Sequence, residues 1–520
     1  MNRPADGRHV RNDTPYHILW GVFVFALLWP LASSATPPRP EPTRSSEKSP
    51  DPAADPSPEG PSEPAPQPGA TPTPASATEP PPTEPPPPPP LEADDKRRLA
   101  ALARELPRHG LAPLSAPALE APDAEWLKLA RRLVNAFAPE RMRGPARTKL
   151  LESRPLHPAI ENLVPTHRRY RALMELLALY ASRAAAPPPQ IPDTRYTIRV
   201  GVTAPEVGLL RDRLRVEGYG DEGVTGRLRE YFDDRLRRAL QSWQKDRKLP
   251  PTVVLDNLTR KRLNAPLEQP VAEVLLALDR FRALELRRDE GVQLLVHIND
   301  YALTVERDGR GELAMPVVVG KNTDKDQTPA LSAPLHTIIV NPSWNVPNRI
   351  VEERLRPQAQ DIPEMLIDKG YEVTVDPSTG RWRVKMGPGP ENPLGRMKFL
   401  LADTQSIYLH DTPQRNAFGK DARALSAGCV RLSDPAALAR FLMPGKDMAL
   451  EEALTYQTTP STFAVGPFPT HLIYQTVLAE DGRLARFPDI YDRDPEALAA
   501  IDAARIEKVT SALRALPPAR

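Results

Sequence analysis

The chain has 520 residues, 65 of them proline, and sets 69 Lys and Arg against 67 Asp and Glu for a formal charge of +2. That near-balance argues against the large basic face of a nucleic-acid partner, and the length predicts more than one domain. With one cysteine, nine scattered histidines and no HExxH, no metal-ligand spacing is present, so neither a metal nor a cofactor is expected.

Residues 1–35 read as a targeting segment. Arg3, Arg8 and Arg11 precede an apolar run at 18–29, and small residues follow at 32–35. The run is short for a membrane span. Two readings stay open, a cleaved signal peptide or an uncleaved inner-membrane anchor, and either places the remainder in the periplasm. Residues 36–93 are a Pro/Glu/Ala/Ser/Thr tract with too little apolar surface to fold, expected to be an extended spacer.

From 94 to 190 apolar positions recur three and four apart, at 96–106, 124–137 and 170–184, and predict a helical scaffold domain. Residues 191–268 predict a small helical module. One helix spans 207–219, a second carries Leu236, Leu240, Trp243 and Gln244 on one face, and a third covers 256–263. The order resembles the three-helix peptidoglycan-binding module. That family usually has an Asp-Gly turn after the position of Leu249, whereas residues 250–255 contain no glycine. Trp243 and Leu240 are expected to be core.

A connecting helix is expected within 269–290, and strand patterns then begin. Residues 294–298 and 301–306 read as a hairpin across Asn299-Asp300, followed by strands at 313–319, 336–341, 397–400 and 407–409. The expected fold is multidomain α+β, with a β-sandwich-like domain over 291–487. Residues 342–390 interrupt it with Trp344, two short helical stretches and a hairpin-like pair near 377–380. An insertion of this size reads as a lid. A single amphipathic helix is expected at 495–517.

The lone cysteine sits in Ser426-Ala427-Gly428-Cys429-Val430-Arg431. Exported proteins use cysteines in pairs, so an unpaired one is buried filler, an intermolecular linker or a nucleophile. His410 precedes it by 19 residues and supplies an imidazole able to take the thiol proton. Gly428 permits a tight turn that aims backbone N–H groups at a developing oxyanion. Asp411 is placed to orient His410 by side chain or by backbone carbonyl. Arg431 suits a substrate carboxylate, or equally a structural ion pair.

His410 followed by Ser-x-Gly-Cys-x-Arg resembles the catalytic motif of the L,D-transpeptidases (YkuD-type). Residues 315–321, Thr328-Pro329, Asn341-Pro342 and 387–396 match the same family in order, so the likeness spans 291–487. With the scaffold, the module and the insertion, the chain resembles the large YcbB-like subgroup. The resemblance implies a peptidoglycan transpeptidase. Cys429 would attack a stem tetrapeptide, D-alanine would leave, and an amine of a neighbouring stem would resolve the thioester into a 3–3 cross-link. It implies Cys429 as nucleophile, His410 as base, the backbone of Asp411 as its orienter, and Gly428 and Cys429 N–H groups as the oxyanion hole. Arg431, Ser426, Tyr408 and Trp344 are placed at the substrate. Ala427 stands where most of the family has a second histidine. Two other readings remain: a non-catalytic murein-binding tether, and an L,D-carboxypeptidase using water as acceptor.

Overall fold

The computed structural model describes residues 89–517 apart from 139–143, 186, 221–223, 248, 285, 287, 403, 405–406 and 457. The apolar run at 18–29 and most of the proline tract lie outside these. Among the described residues no helix is long and apolar enough to cross a membrane.

The scaffold begins with α1 (Ala93–Glu105), α2 (Asp123–Phe137), α3 (Pro145–Glu152) and α4 (Leu156–Glu161). On α2, Trp126, Leu129, Ala130, Leu133, Val134 and Phe137 fall on one stripe, and all are buried. They form a separate core with Leu99, Leu106, Leu156 and Ile160. Leu91 already packs there, and its N–H donates to Asp123 (2.7 Å), so order starts inside the tract assigned to 36–93. The next helix, α5 (Arg168–Ala185), does not join this core. The single scaffold expected over 94–190 is therefore two bodies of packing.

The small module follows as α6 (Pro205–Val216), α7 (Asp234–Asp246) and α8 (Asn257–Leu263). Asp233 and Asp256 cap α7 and α8 by accepting from Leu236 N (2.8 Å) and Thr259 N (2.7 Å). Leu240 and Trp243 are fully buried with Val207, Leu210 and Phe232, as core rather than groove. Where the glycine is missing, Val253 takes the left-handed conformation at φ +52°. The Gln244 amide holds that turn, accepting from Val253 N (3.0 Å) and donating to Thr252 Oγ1 (3.1 Å).

The expected connector is α9 (Glu268–Ala283), and it is buried along most of its length. Its apolar residues pack against α5, against a hairpin late in the chain and against the C-terminal helix, making a hub between the helical and sheet domains. The C-terminal segment is not one helix. It breaks into Asp494–Ala499 and Ala503–Arg514 because the Asp502 side chain accepts from Arg505 N (2.7 Å) and starts a new helix.

The strands in chain order are β1 (Val292–His297), β2 (Ala302–Arg307), β3 (Arg310–Gly320), β4 (Leu331–Val340), β5 (Trp344–Asn345), β6 (Tyr371–Val375), β7 (Trp382–Met386), β8 (Met397–Leu401), β9 (Tyr408–His410), β10 (Ala424–Ser426), β11 (Val430–Leu432), β12 (Ser461–Ile473), β13 (Val477–Glu480) and β14 (Arg483–Arg486). Nine form one mixed sheet in the order β10-β3-β11-β9-β8-β4-β12-β1-β2, and β2 also pairs with β3. The sheet thus curls on itself, and its inner faces enclose a core that includes Leu294, Val296, Leu335, Ile338, Phe399 and Leu409. β13 and β14 form the hairpin on the α9 hub. The insertion is a three-stranded sheet, β5-β7-β6, with helical turns at Asn348–Ile350, Val351–Leu355 and Arg356–Gln358 and its own core of Trp344, Val351, Trp382 and Val384.

Candidate active site

His410 ends β9, and Cys429 immediately precedes β11. The two strands pair in parallel, Val430 beside Leu409 and Arg431 beside His410. This pairing brings the thiol and the imidazole, 19 residues apart in sequence, to the wall of one cavity of about 550 Å³.

The loop carrying the nucleophile is held from below. Gly428 has φ +115° with no crowding at its Cβ position, so backbone conformation rather than space requires glycine. Its carbonyl accepts from Thr328 Oγ1 (2.8 Å), which itself accepts from Gly320 N (2.8 Å). Tyr491 completes the support. Its hydroxyl donates to the Gly320 carbonyl (2.8 Å) and accepts from Thr328 N (3.1 Å). A side chain at Gly320 would collide with the Asp326 carbonyl at 1.8 Å. The motif residues Gly320 and Thr328 are therefore parts of the floor of the nucleophile loop.

Ser426 and Asp411 are both held by hydrogen bonds close to Cys429 and His410. Ser426 is buried and committed to the turn: its hydroxyl donates to the Cys429 carbonyl (2.6 Å) and accepts from Gly428 N (3.1 Å). It braces the loop while lining the cavity, and the Gly428 N–H expected in an oxyanion hole donates to it. Asp411 orients His410 through its backbone, since His410 Nδ1 lies 2.5 Å from the Asp411 carbonyl. Its carboxylate instead accepts from Arg396 N (2.7 Å), from Thr412 N (2.7 Å) and from Arg415.

Tyr408 lines the cavity wall beside Cys429, and burial, then the Cys429 charge, pushes its phenol up. Trp344 lines the same wall while belonging to the inserted sheet, whose core Tyr408 packs against. Lys398, absent from the residues the sequence singled out, lies with its ammonium 3.9 Å from the Tyr408 ring centroid. Its signal was one cation in the apolar β8 pattern.

Burial dominates the titration of this cluster. It drives His410 down to about 3, helped by the Arg431 charge and opposed by the Asp411 carbonyl. It pushes the Cys429 thiol up, against lowering contributions from Tyr408, Lys398 and Arg431. Both shifts run against a thiolate–imidazolium pair.

The cavity wall carries Lys325, Arg349, Arg354 and Arg431 and, among the described residues, no carboxylate. Arg431 donates to Gln414 Oε1 (2.9 Å), and its buried Nε has no partner. The insertion overhangs this wall and is tied down by ion pairs. Arg349 and Arg354 both reach the buried Asp326 (2.9 and 2.6 Å), Lys325 meets Glu353 (2.5 Å), and Arg349 also donates to the Ala427 carbonyl (3.3 Å). Burial alone would raise the Asp326 carboxyl, but the two arginines hold it below the usual carboxylate range.

Away from the cavity, His167, Asp289 and Glu306 bring their ligand atoms within 4.8 Å of one another, a cluster that sequence spacing gave no hint of. Arg168 and Arg169 already occupy Glu306 (2.7 and 2.6 Å). His167 Nδ1 accepts from Arg169 N (3.3 Å), so Nε2 carries the proton and faces Asp289 (3.3 Å). The chemistry is that of an ion network joining α5 to β2, not a ligand set for a cation.

A cysteine, a buried imidazole oriented by a backbone carbonyl and a cation-lined cavity on a curled mixed sheet are the groups that thiol-based acyl transfer needs. Residues 291–450 match the family profile described as the L,D-transpeptidase catalytic domain, and residues 203–263 match the "Putative peptidoglycan binding domain". A curated Haemophilus influenzae protein described as "Putative L,D-transpeptidase" is 34% identical over 221 residues. That match covers 39% of this chain, and the chain spans 44% of that relative's length. Among solved structures, an L,D-transpeptidase from Mycobacterium smegmatis is 18% identical, covering 35% of this chain and 58% of its own at a TM-score of 0.19. An L,D-transpeptidase from Xylanimonas cellulosilytica is 15% identical, covering 55% and 98% at 0.17. The chain carries the catalytic domain of the L,D-transpeptidase family together with a peptidoglycan-binding domain.

Proposed function

We propose that this protein is a cysteine-dependent peptidoglycan L,D-transpeptidase of the large YcbB-like kind, forming 3–3 cross-links in the periplasm. The observation that carries the proposal is the cavity holding Cys429, His410 and Tyr408, with Arg431 free of any carboxylate partner among the described residues. Such a wall suits a peptide donor that bears carboxylates.

In the first half-reaction the Cys429 sulfur bonds to the donor carbonyl carbon as its proton passes to His410. Collapse of the tetrahedral intermediate breaks the C–N bond, and the departing D-alanine amine takes that proton. In the second, the acceptor amine attacks the thioester, its proton passes by way of His410 to the leaving sulfur, and a new amide forms. Because burial keeps His410 unprotonated, it enters each half-reaction as a base. The insertion acts as a lid over the donor, placing Trp344 against Tyr408.

Muropeptide analysis after incubation with tetrapeptide-containing sacculi tests this reading. 3–3 dimers support it. Tripeptides alone identify water as acceptor and an L,D-carboxypeptidase. Binding without any new muropeptide identifies a tether.

A further inference from the structure

The β8–β9 ladder pairs Lys398 with His410 and Leu400 with Tyr408, so Lys398, Tyr408 and His410 project from one face of the sheet. On that face the Lys398 ammonium sits 3.9 Å from the Tyr408 ring centroid, and the Tyr408 and His410 rings are 5.6 Å apart. Tyr408 and Cys429 line the same cavity wall. Among the described residues Lys398 has no carboxylate partner. It lines a second cavity of about 480 Å³, which shares Pro347, Ile407 and Tyr408 with the first.

We infer that Lys398 is a positioning residue for the nucleophile, its ammonium stabilising the Cys429 thiolate directly and through the ring and hydroxyl of Tyr408. A cation over the ring face makes the phenol a stronger donor, and a stronger donor favours the charged form of its sulfur acceptor. Half-buried surroundings strengthen both effects relative to water.

The competing charges are few. From β9 the thiol faces Tyr408 and His410, and from β11 it faces Arg431. At the rim stand Lys325 and the lid residues Arg349 and Arg354. The rim cations are spent on Glu353 and Asp326. His410 is neutral, held down by burial. Lys398 and Arg431 remain as the cations that lower the thiol against its burial, and the interaction is reciprocal, since the thiolate raises Lys398 as well.

The inference rests on Cys429 as the nucleophile but needs no substrate to test. With one cysteine in the chain, thiolate absorbance and iodoacetamide alkylation across pH report this thiol alone. In the full chain, Lys398→Met and Lys398→Gln should move the alkylation midpoint about one unit to higher pH, and alkylation at neutral pH should slow about tenfold. Lys398→Arg should restore most of the wild-type profile. An unchanged profile in either folded neutral variant overturns the inference, as does a shift in Lys398→Arg equal to that in Lys398→Met. A wild-type thiol that does not alkylate at any pH would instead count against the proposed function.

Discussion

Thr328 donates a 2.8 Å hydrogen bond to the carbonyl of Gly428, the residue before the nucleophile, from 100 positions upstream. The same hydroxyl accepts from Gly320 N. Thr328→Val would strand a buried donor and a buried acceptor, at a cost of about 1–3 kcal/mol for each unsatisfied group. The expected result is a lower melting temperature together with slower acylation of Cys429, with Thr328→Ser close to wild type. Slow acylation with unchanged stability would place Thr328 in the chemistry instead of beneath it.

Carbapenem treatment followed by intact-mass measurement should show one adduct, absent in Cys429→Ser. His410→Ala should retain the fold and lose roughly 10²–10⁴-fold in acylation rate. An adduct that forms at the wild-type rate in His410→Ala would assign proton removal to another group.

The insertion is fastened at Asp326, which receives Arg349 and Arg354. Asp326→Asn removes the charge that both lid arginines use. Cross-linking of sacculi should fall further than acylation by a small carbapenem, because a small ligand needs less of the lid. Equal losses on the two substrates would mean that the ion pairs hold the catalytic core itself.

Burial drives His297 down to about 4, against the opposing Gln475 carbonyl 2.9 Å from its Nε2. The unfolded chain then binds a proton below about pH 6.5 that the folded chain refuses. Stability from this residue is fully present above that pH and is lost as pH falls toward 4, by up to about 1.4 kcal/mol per unit. His109, His167 and His410 are depressed in the same direction, each chiefly by burial. Urea titrations at pH 7 and pH 5 should show the loss, and His297→Gln should reduce it while leaving the part due to the other three histidines.

Val253 holds a β-branched side chain at φ +52°. Val253→Asn should stabilise the small module by about 1 kcal/mol, since asparagine tolerates the left-handed region better. An unchanged or lower melting temperature would show that Val253 packing outweighs its backbone strain.

The sequence by itself picked out the Cys429–His410 pair and most of the elements. A lone thiol next to glycine, with an imidazole upstream, is local chemistry, and periods of 3.6 and 2 are local geometry. The strand β12 escaped because Pro460, Pro467 and Pro469 argue against a strand. It nonetheless lies between β4 and β1, and an irregularity between Ala464 and Phe468 absorbs Gly466-Pro467. The burial of α9 was equally hidden, because its partners α5, the β13–β14 hairpin and the C-terminal helix lie far away in sequence.

Tertiary structure alone decided the side-chain partners. It turned Ser426 into a loop brace, sent the Asp411 carboxylate away from His410, set Tyr408 beside Cys429 on one cavity wall and placed Lys398 over its ring. Asp326 became the lid's anchor through arginines 23 and 28 residues away. Each outcome depends on strand register and on the depth at which a polar group is buried. Those quantities arise when distant segments pair, so composition and spacing along one strand do not encode them separately.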